Sequence, residues 1–415
     1  MPDKERLNPM LKADWLELEK AAEILLARTR PIEETVELPL CESLGSIAAE
    51  EIRAPLDNPP FDRSSMDGFA LRSQDTASGE KTVTLKIQGE SGAGKPFSGC
   101  VGPGGAIRIM TGAMIPPGAD TVIPKETARE EGGKIFVPGF LAKGNCIGFR
   151  GEDIRKAEVL APAGTRLDAV MIGILSGMGL EKIGVYRQPR IGILCTGDEL
   201  SPPGRELEPG KIYDTNTALL SCRLKEWGFD PYLLPGTGDN ASVASSLIAS
   251  HIASLDILIS SGAVSVGEYD IIHEVYGILE AESLFWRLAN RPGSAIRCGI
   301  YRGKLMMNLS GNPFACIVSL ELLAKPVLAK ISRRKDLQNR RVQGRLANDF
   351  SPDKTDLRRF IRCRYENGMF SVPSGHSSSQ LFSFLNCNCL LDLPAGTGFL
   401  SRGTALDGIL FREGL

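Results

Sequence analysis

Two short stretches hold the residues best suited to chemistry. Arg190-Ile-Gly-Ile-Leu-Cys-Thr-Gly-Asp-Glu-Leu200 and Asp256-Ile-Leu-Ile-Ser-Ser-Gly-Ala-Val-Ser-Val-Gly-Glu-Tyr-Asp270 each place an apolar run before a turn of small and acidic residues. Small residues allow backbone N–H groups and hydroxyls to close round an anion, and neighbouring carboxylates suit a hard cation. The first turn offers Thr196, Gly197, Asp198 and Glu199; the second offers Ser261, Gly262, Ser265, Gly267 and Asp270. Asp239 follows the apolar run between them. Acids behind three successive runs favour Mg2+ capture over the simpler reading, in which Asp198 or Thr196 only caps a helix. The second turn has no Gly-Lys-Ser/Thr and its glycines do not fit GxGxxG, so neither common nucleotide loop describes it.

Three further segments carry candidate groups. Ser64-Ser-Met-Asp-Gly-Phe-Ala70 sets Asp67 at a turn entering a strand, where it is either a turn former or a working carboxylate. Thr111 follows the run Arg108-Ile-Met110, so its hydroxyl and the Gly112 N–H suit a phosphate, with a plain β-turn as the alternative. Phe285-Trp-Arg-Leu-Ala-Asn-Arg-Pro-Gly-Ser294 brings Arg287 and Arg291 to the Pro292–Gly293 turn, either to grip an oxyanion bidentately or as solvated charges.

The elements that position these groups are legible from periodicity. Apolar spacing predicts a helix from Trp15 to Arg28, a strand over Thr35–Leu40 and a short helix over Ala48–Ile52. Thr82–Gln88, Gly105–Met110 and Thr121–Pro124 read as strands of a β-rich module. A small-residue helix over Leu167–Met178 and a strand over Ile183–Tyr186 follow. From Arg190 the pattern is regular α/β: strands Ile191–Cys195, Pro231–Leu234, Ile257–Ser260 and Leu305–Leu309 alternate with helices Thr217–Trp227, Ala241–Ser254, Ile271–Leu279 and Phe314–Ile331, the last kinked by Pro326. Ser332–Arg341 is a basic run read as a solvated connector, and Val342–Leu415 as an all-β module. In open α/β sheets ligands bind beyond the carboxyl ends of the strands, so the two Gly/Ser turns predict one cleft.

At 415 residues several domains are expected: 1–54 with 150–188, an inserted β-rich domain over 55–149, an α/β domain over 189–331 and a β domain over 340–415. The formal net charge of −2 provides no basic field for nucleic acid. The longest apolar stretch, Ala169–Val185, is interrupted by Ser176, Glu181 and Lys182, so no membrane span is expected. The start, Met-Pro-Asp-Lys-Glu-Arg, lacks the apolar core of a signal peptide, and a cytoplasmic location is expected. Ten cysteines without a CxxC, with three histidines, read as buried reduced thiols and not a zinc site.

Taken in order, the motifs at 64–70, 111–120, 150–154, 196–200, 214–216, 261–270 and 310–313 resemble the molybdopterin molybdenumtransferase family, which includes the gephyrin E-domain, across nearly the whole chain. The resemblance implies a multidomain α/β protein. Its central α/β molybdopterin-binding domain has a mostly parallel sheet with helices on both faces. Beside it stand a β-rich second domain and a C-terminal β-barrel-like domain. It implies a homodimer, adenylylated molybdopterin and molybdate as substrates, release of AMP with Mg2+, and the molybdopterin adenylyltransferase as a partner. By matching motif, Asp67, Thr111, Glu199, Asp239 and Asp270 are the implied active-site polar residues, with Glu199, Asp239 and Asp270 as Mg2+ ligands. The implied pterin, phosphate and oxyanion contacts are Thr196, Gly197, Asp198, Asp214, Asn216, Ser261, Gly262, Ser265, Gly267, Arg287, Arg291, Pro292, Gly293, Gly311, Asn312, Pro313, Arg362 and Ser378.

The chain also departs from the family's pattern. Lys-Pro-Gly-Lys-Pro is Arg291-Pro-Gly-Ser-Ala295 here, Leu-Pro-Gly-Asn-Pro-Val-Ser is Leu309-Ser-Gly-Asn-Pro-Phe-Ala315, and an arginine before Arg-Gly-Glu-Asp is Gly148. The nucleotide-cleaving half is retained while the molybdate half is altered. That leaves open molybdate against tungstate, and an enzyme against a catalytically impaired paralogue that binds molybdopterin or acts as a scaffold. An unrelated Mg2+-dependent nucleotide enzyme is the third reading, against which the Met-Asp-Gly-Phe segment stands.

Overall fold

The computed structural model describes residues 15–77, 81–264, 271–375 and 380–412. The chain divides into two compact units. One holds residues up to Val36, Gly45–Ile47 and Tyr186 onward; the other holds Glu37–Leu44 and Ala48–Val185.

In the first unit, a six-stranded sheet runs in the order Tyr232–Leu233, Ile191–Cys195, Ile257–Ser261, Lys304–Leu309, Arg297–Tyr301, Glu282–Trp286. The first four strands are parallel and the last two antiparallel. Ile191–Cys195 and Ile257–Ser261 are buried at every position, as strands covered on both faces must be, and this explains their unbroken apolar runs. Helices Asn216–Glu226 and Pro313–Ser319 share one core with the N-terminal helix Leu18–Arg28, while Ala241–His251 and Ile271–Leu279 build a second core. Alternate residues of Ile257–Ser261 point to each: Ile257 and Ile259 to the first, Leu258 to the second.

Downstream, Arg340–Leu346, Arg358–Glu366, Met369–Ser371, Cys389–Leu393 and Ala405–Leu410 close into a five-stranded barrel, because Arg358–Glu366 pairs with both Met369–Ser371 and Cys389–Leu393. Its interior is filled by Leu346, Ile361, Cys363, Phe370 and Leu391, among others. Closure leaves those five strands no free edge between them. A two-residue strand, Asn290–Arg291, adds in parallel to Arg358–Glu366.

The second unit is built round a six-stranded sheet in the order Thr121–Pro124, Gly68–Leu71, Gly105–Ile109, Thr82–Ser91, Lys134–Pro138, Arg129–Glu131. Gly68 is required here: a Cβ would sit 1.9 Å from the Ile123 carbonyl oxygen. Helix Ala169–Gly177 begins at Asp168, whose carboxylate accepts the Met171 N–H at 2.8 Å.

Three local expectations fail, each for a physical reason. Ala48–Ile52 is not a helix but lies in strands Ile47–Ala48 and Ile52–Arg53, since five residues before Pro55 are too few to repay helix nucleation. The Phe314–Ile331 helix is two helices, Pro313–Ser319 and Lys325–Ile331, joined by a π turn over Leu320–Ala324; Pro326 lacks the N–H that would bond Leu322. The basic run is not a solvated connector. Arg334 is buried, donates to the Trp227 carbonyl and pairs with Asp336, and Arg333 donates to the Ile32 carbonyl at 2.8 Å while lying over the Tyr186 ring.

Candidate functional site

The turns after the parallel strands are held by backbone hydrogen bonds from one to the next. The Thr196 N–H donates to the Ser261 carbonyl at 3.0 Å, the Gly197 N–H to the Thr237 carbonyl at 3.2 Å, and the Gly262 N–H to the Leu309 carbonyl at 3.3 Å. The backbones approach too closely for side chains. Gly262 sits at φ +105°, and a Cβ there would lie 2.1 Å from the Thr196 carbonyl oxygen; a Cβ on Gly311 would lie 3.4 Å from the Gly262 Cα. Glycine is the residue that fits such a conformation and such an approach.

Polar side chains complete this end of the sheet. Asn216, buried, donates to Ser261 Oγ at 2.7 Å and to the Gly311 carbonyl at 2.8 Å, and Ser261 Oγ donates to the Ser310 carbonyl at 2.9 Å. Asp214 accepts the Thr217 N–H at 3.0 Å and the Thr217 hydroxyl, closing the turn before helix Asn216–Glu226. Asn312 accepts the Phe314 and Ala315 N–H groups at the start of Pro313–Ser319, a cap of about 1 kcal/mol. Thr196 Oγ1, Thr237 Oγ1 and Asn216 Oδ1 are buried without a hydrogen-bond partner, unmet capacity that normally signals a missing ligand or water. As far as residue 264, the loops that follow the parallel strands are therefore one hydrogen-bonded set.

Two carboxylates stand beside it. Asp198 Oδ1 accepts the Asp239 N–H at 2.9 Å, and the Asp198 N–H points to Asp239 Oδ2 at 3.4 Å. Gly197 and Gly238 make room for these acids: a Cβ on Gly238 would lie 2.1 Å from Asp198 Oδ1, and one on Gly197 2.6 Å from Glu199 Oε2. Lys211 donates to the Asp198 carbonyl. Among the described residues no three His, Cys, Asp or Glu side chains converge as a metal cluster. Asp270, Ser265, Gly267 and Ser378 lie outside the described residues. Beneath the loops, burial pushes the Cys195 and Cys316 thiols up to about 12, so both are protonated and inert.

The arginines separate. Arg287, at φ +75°, has its guanidinium over the Trp286 and Trp15 rings. Arg291 lies opposite Arg359 in the parallel strand pair, and Gly293, at φ +93°, turns the chain directly after Pro292. Arg362 is fully buried over the Phe314 ring, and donates to the Gly375 carbonyl at 3.3 Å. Arg359 and Arg362 are three apart in an unbroken strand, so they leave it on opposite faces. Arg359 was not among the sequence candidates; an Arg-Arg pair at a strand start carries no signal separating it from surface charge.

In the second unit, Asp67 Oδ1 accepts both the N–H and the hydroxyl of Thr111 at 2.8 Å, and Lys125 Nζ stands 3.4 Å from Asp67 Oδ2. The Thr111 N–H first, then its hydroxyl and the Lys125 ammonium, hold the Asp67 carboxyl below the usual carboxylate range. Gly148 lies opposite Arg63 in a two-residue pairing, and a Cβ there would be 2.7 Å from Glu152 Oε1.

Comparison with known proteins gives concordant matches. Residues 16–179 match the MoeA N-terminal region (domain I and II), residues 192–330 the probable molybdopterin binding domain, and residues 343–411 the MoeA C-terminal region (domain IV). Relatives named molybdopterin molybdenumtransferase include one from Bacillus subtilis, 35% identical over 92% of this chain and 90% of its own length. One from Staphylococcus epidermidis is 33% identical over 90% and 91%. A crystal structure of the molybdopterin biosynthesis MoeA protein from Pyrococcus horikoshii superposes with a TM-score of 0.83 at 30% identity, covering 96% of this chain and all of that one.

Proposed function

The chain belongs to the molybdopterin molybdenumtransferase family, transferases of molybdenum-cofactor biosynthesis that act on molybdopterin, and from that premise we propose that it inserts molybdate into adenylylated molybdopterin with release of AMP. The observation that carries this reading is the set of loops at the strand ends, where Thr196, Gly262 and Gly311 pack backbone on backbone and leave buried hydroxyl and amide atoms unmatched. Such a surface offers short polar contacts to a flat heterocycle and to phosphate oxygens. The loops at 196–199, 214–216 and 261–264 bind and orient the pterin and its phosphates.

Asp198, Glu199 and Asp239 are oxygen donors of the hard kind that Mg2+ takes, one or two carboxylates beside substrate phosphate. Glu199 and Asp239, with Asp270, form the donor set we assign to it. Bound there, Mg2+ supplies neutralisation of the charge that develops on the phosphate oxygens. Asp67 and Thr111 are assigned as further active-site polar groups. Asp67, kept ionised by Thr111 and Lys125, can accept hydrogen bonds but holds no proton to give near neutral pH.

The assembly we propose is a homodimer in the cytoplasm, receiving its substrate from a molybdopterin adenylyltransferase. Helix Ala169–Gly177 supports the dimer: it is almost wholly apolar, yet Val170 is 71% and Ile174 36% exposed. Among the described residues no helix is long and apolar enough to cross a membrane.

Turnover of the purified full-length protein tests the reading. With adenylylated molybdopterin, Mg2+ and either molybdate or tungstate, AMP release that depends on the oxyanion and parallels cofactor formation is expected. Tight pterin binding without AMP release would replace the enzyme with a binding protein on the same fold.

A further inference from the structure

A chain of buried hydrogen bonds runs just beneath the loops that follow the parallel strands. Tyr276 Oη donates to Asn308 Oδ1 at 2.8 Å, and Asn308 Nδ2 donates to Ser260 Oγ at 2.6 Å. All three residues are at most 3% exposed. Ser260 and Asn308 are register partners in adjacent parallel strands, so their side chains leave the sheet on one face. Leu258 and Met306 stand on that face and pack in one core with helix Ile271–Leu279, which brings Tyr276. Two further contacts hold the Tyr276 ring. The Arg297 guanidinium lies 4.3 Å from the ring centroid while donating to His273 Nδ1 at 2.8 Å. Gly299 leaves space that a Cβ, 2.3 Å from Tyr276 Cε1, would take. Burial first, against the Arg297 charge, pushes the phenol well above its ordinary value, so it stays protonated and remains a donor.

The two strand residues of this chain are one step from the cradle. Ser260 precedes Ser261, whose Oγ donates to the Ser310 carbonyl at 2.9 Å. Asn308 precedes Leu309, whose carbonyl accepts the Gly262 N–H at 3.3 Å. Tyr276 stands in the helix that follows Asp270 in sequence. The chain thus ties together the strand before the 261–270 segment, the helix after it and the neighbouring strand. Apolar contacts alone let such elements slide, whereas a polar chain in which each group has a partner fixes one arrangement. It adds little stability, because apolar groups of the same shape would serve nearly as well. We propose that Tyr276 and Asn308 are positioning residues for the molybdopterin site: through Ser260 they set the spacing of Ser261, Gly262 and Gly311 that the pterin and its phosphates meet. The proposal rests on the reading of these loops as the molybdopterin cradle. Neither residue touches the ligand in this scheme.

The test titrates molybdopterin, followed by pterin fluorescence, into full-length wild type and three variants, with the thermal midpoint of each measured alongside. The variants are Tyr276→Phe, Val275→Ala and a triple variant combining Tyr276→Phe, Asn308→Leu and Ser260→Ala. Tyr276→Phe should raise the molybdopterin Kd about tenfold, short of the hundredfold that misplacement by about 1 Å costs. Val275, fully buried in the same helix, gives the matched comparison. Val275→Ala should lower the midpoint at least as much and keep Kd within about twofold of wild type. The triple variant removes every partner of the chain, so its midpoint should return toward that of wild type while its Kd stays raised. Three results would each reduce the chain to a structural role and overturn the proposal: Tyr276→Phe that binds as wild type does, Val275→Ala that weakens binding as much, or a triple variant whose Kd recovers with its midpoint. Wild type that binds no molybdopterin would sink the cradle reading and this proposal together. Wild type that binds it without releasing AMP would sink only the transferase reading, and the Kd comparison would still decide Tyr276. Should the triple variant fail to fold, the split between Tyr276→Phe and Val275→Ala carries the test.

Discussion

Gly262→Ala is the sharpest test of the loop cradle. The added Cβ would stand 2.1 Å from the Thr196 carbonyl oxygen and 3.0 Å from Thr196 Oγ1, with φ at +105°. A separation under 3.0 Å is not tolerated, so the 261–264 and 196–199 loops must part by about 1 Å. Two costs add: a left-handed backbone angle at a non-glycine residue, about 1–3 kcal/mol, and overpacking of a tight contact, about 1–3 kcal/mol. Urea unfolding should therefore show a loss of about 2–6 kcal/mol, the sum of these two terms. Displacing binding groups by about 1 Å should lower kcat/KM for AMP release by about a hundredfold. Gly303→Ala is the matched comparison: φ is +76° and nothing lies within 4 Å of the new Cβ, so only the backbone cost of about 1–2 kcal/mol remains and activity is retained. If Gly262→Ala keeps kcat/KM within about twofold of wild type, the packed turns do not hold the substrate and the reasoning fails.

Asp239→Asn removes one carboxylate of the proposed Mg2+ set and should raise the Mg2+ concentration for half-maximal AMP release about tenfold or more; an unchanged Mg2+ dependence would remove Asp239 from that set. Asp67→Asn deletes the charge that Thr111 and Lys125 both address and should lower kcat at neutral pH without changing the unfolding midpoint, since the pair is exposed. Val170→Glu with Ile174→Glu should yield monomers by sedimentation, and a persistent dimer would locate the interface elsewhere. Burial opposes ionisation of Asp256, but the Arg187 guanidinium and the Arg190 N–H outweigh it and hold its carboxyl below the usual range. Its contribution is thus full above about pH 4, the unfolded carboxylate value, and is lost as pH falls through the lower folded value. Asp256→Asn should flatten the acid limb of a stability–pH profile, and an unaltered limb would contradict this.

What the sequence disclosed follows from how each segment is buried. Ile191–Cys195 and Ile271–Leu279 are bounded in the structure as their apolar patterns predict, and Ile257–Ser260 falls one residue short, because each is buried by its own residues. Strands Glu282–Trp286, at the sheet edge, and Arg297–Tyr301, next to it, escaped, since both mix polar and apolar residues and lack a continuous apolar run. The basic run after Ile331 misled because charge suggests solvent, whereas Arg334 spends its charge on a carbonyl and on Asp336 inside the fold. At the site, Thr196, Asn216, Ser261 and Gly311 do come together. Arg359 was hidden: its place opposite Arg291 lies in a register between strands, which is not local in sequence.

The two-residue strand Asn290–Arg291 belongs by sequence to the α/β segment but hydrogen-bonds into the sheet of the barrel. It stitches the two modules at the turn that carries Pro292 and Gly293. Evolution can therefore not exchange the barrel as a cassette without rewriting the turn as well. Chimeras that join this α/β segment to a relative's barrel should inherit a mismatched seam, and compensating changes should gather along Asn290–Gly293 and Arg358–Arg359 before anywhere else.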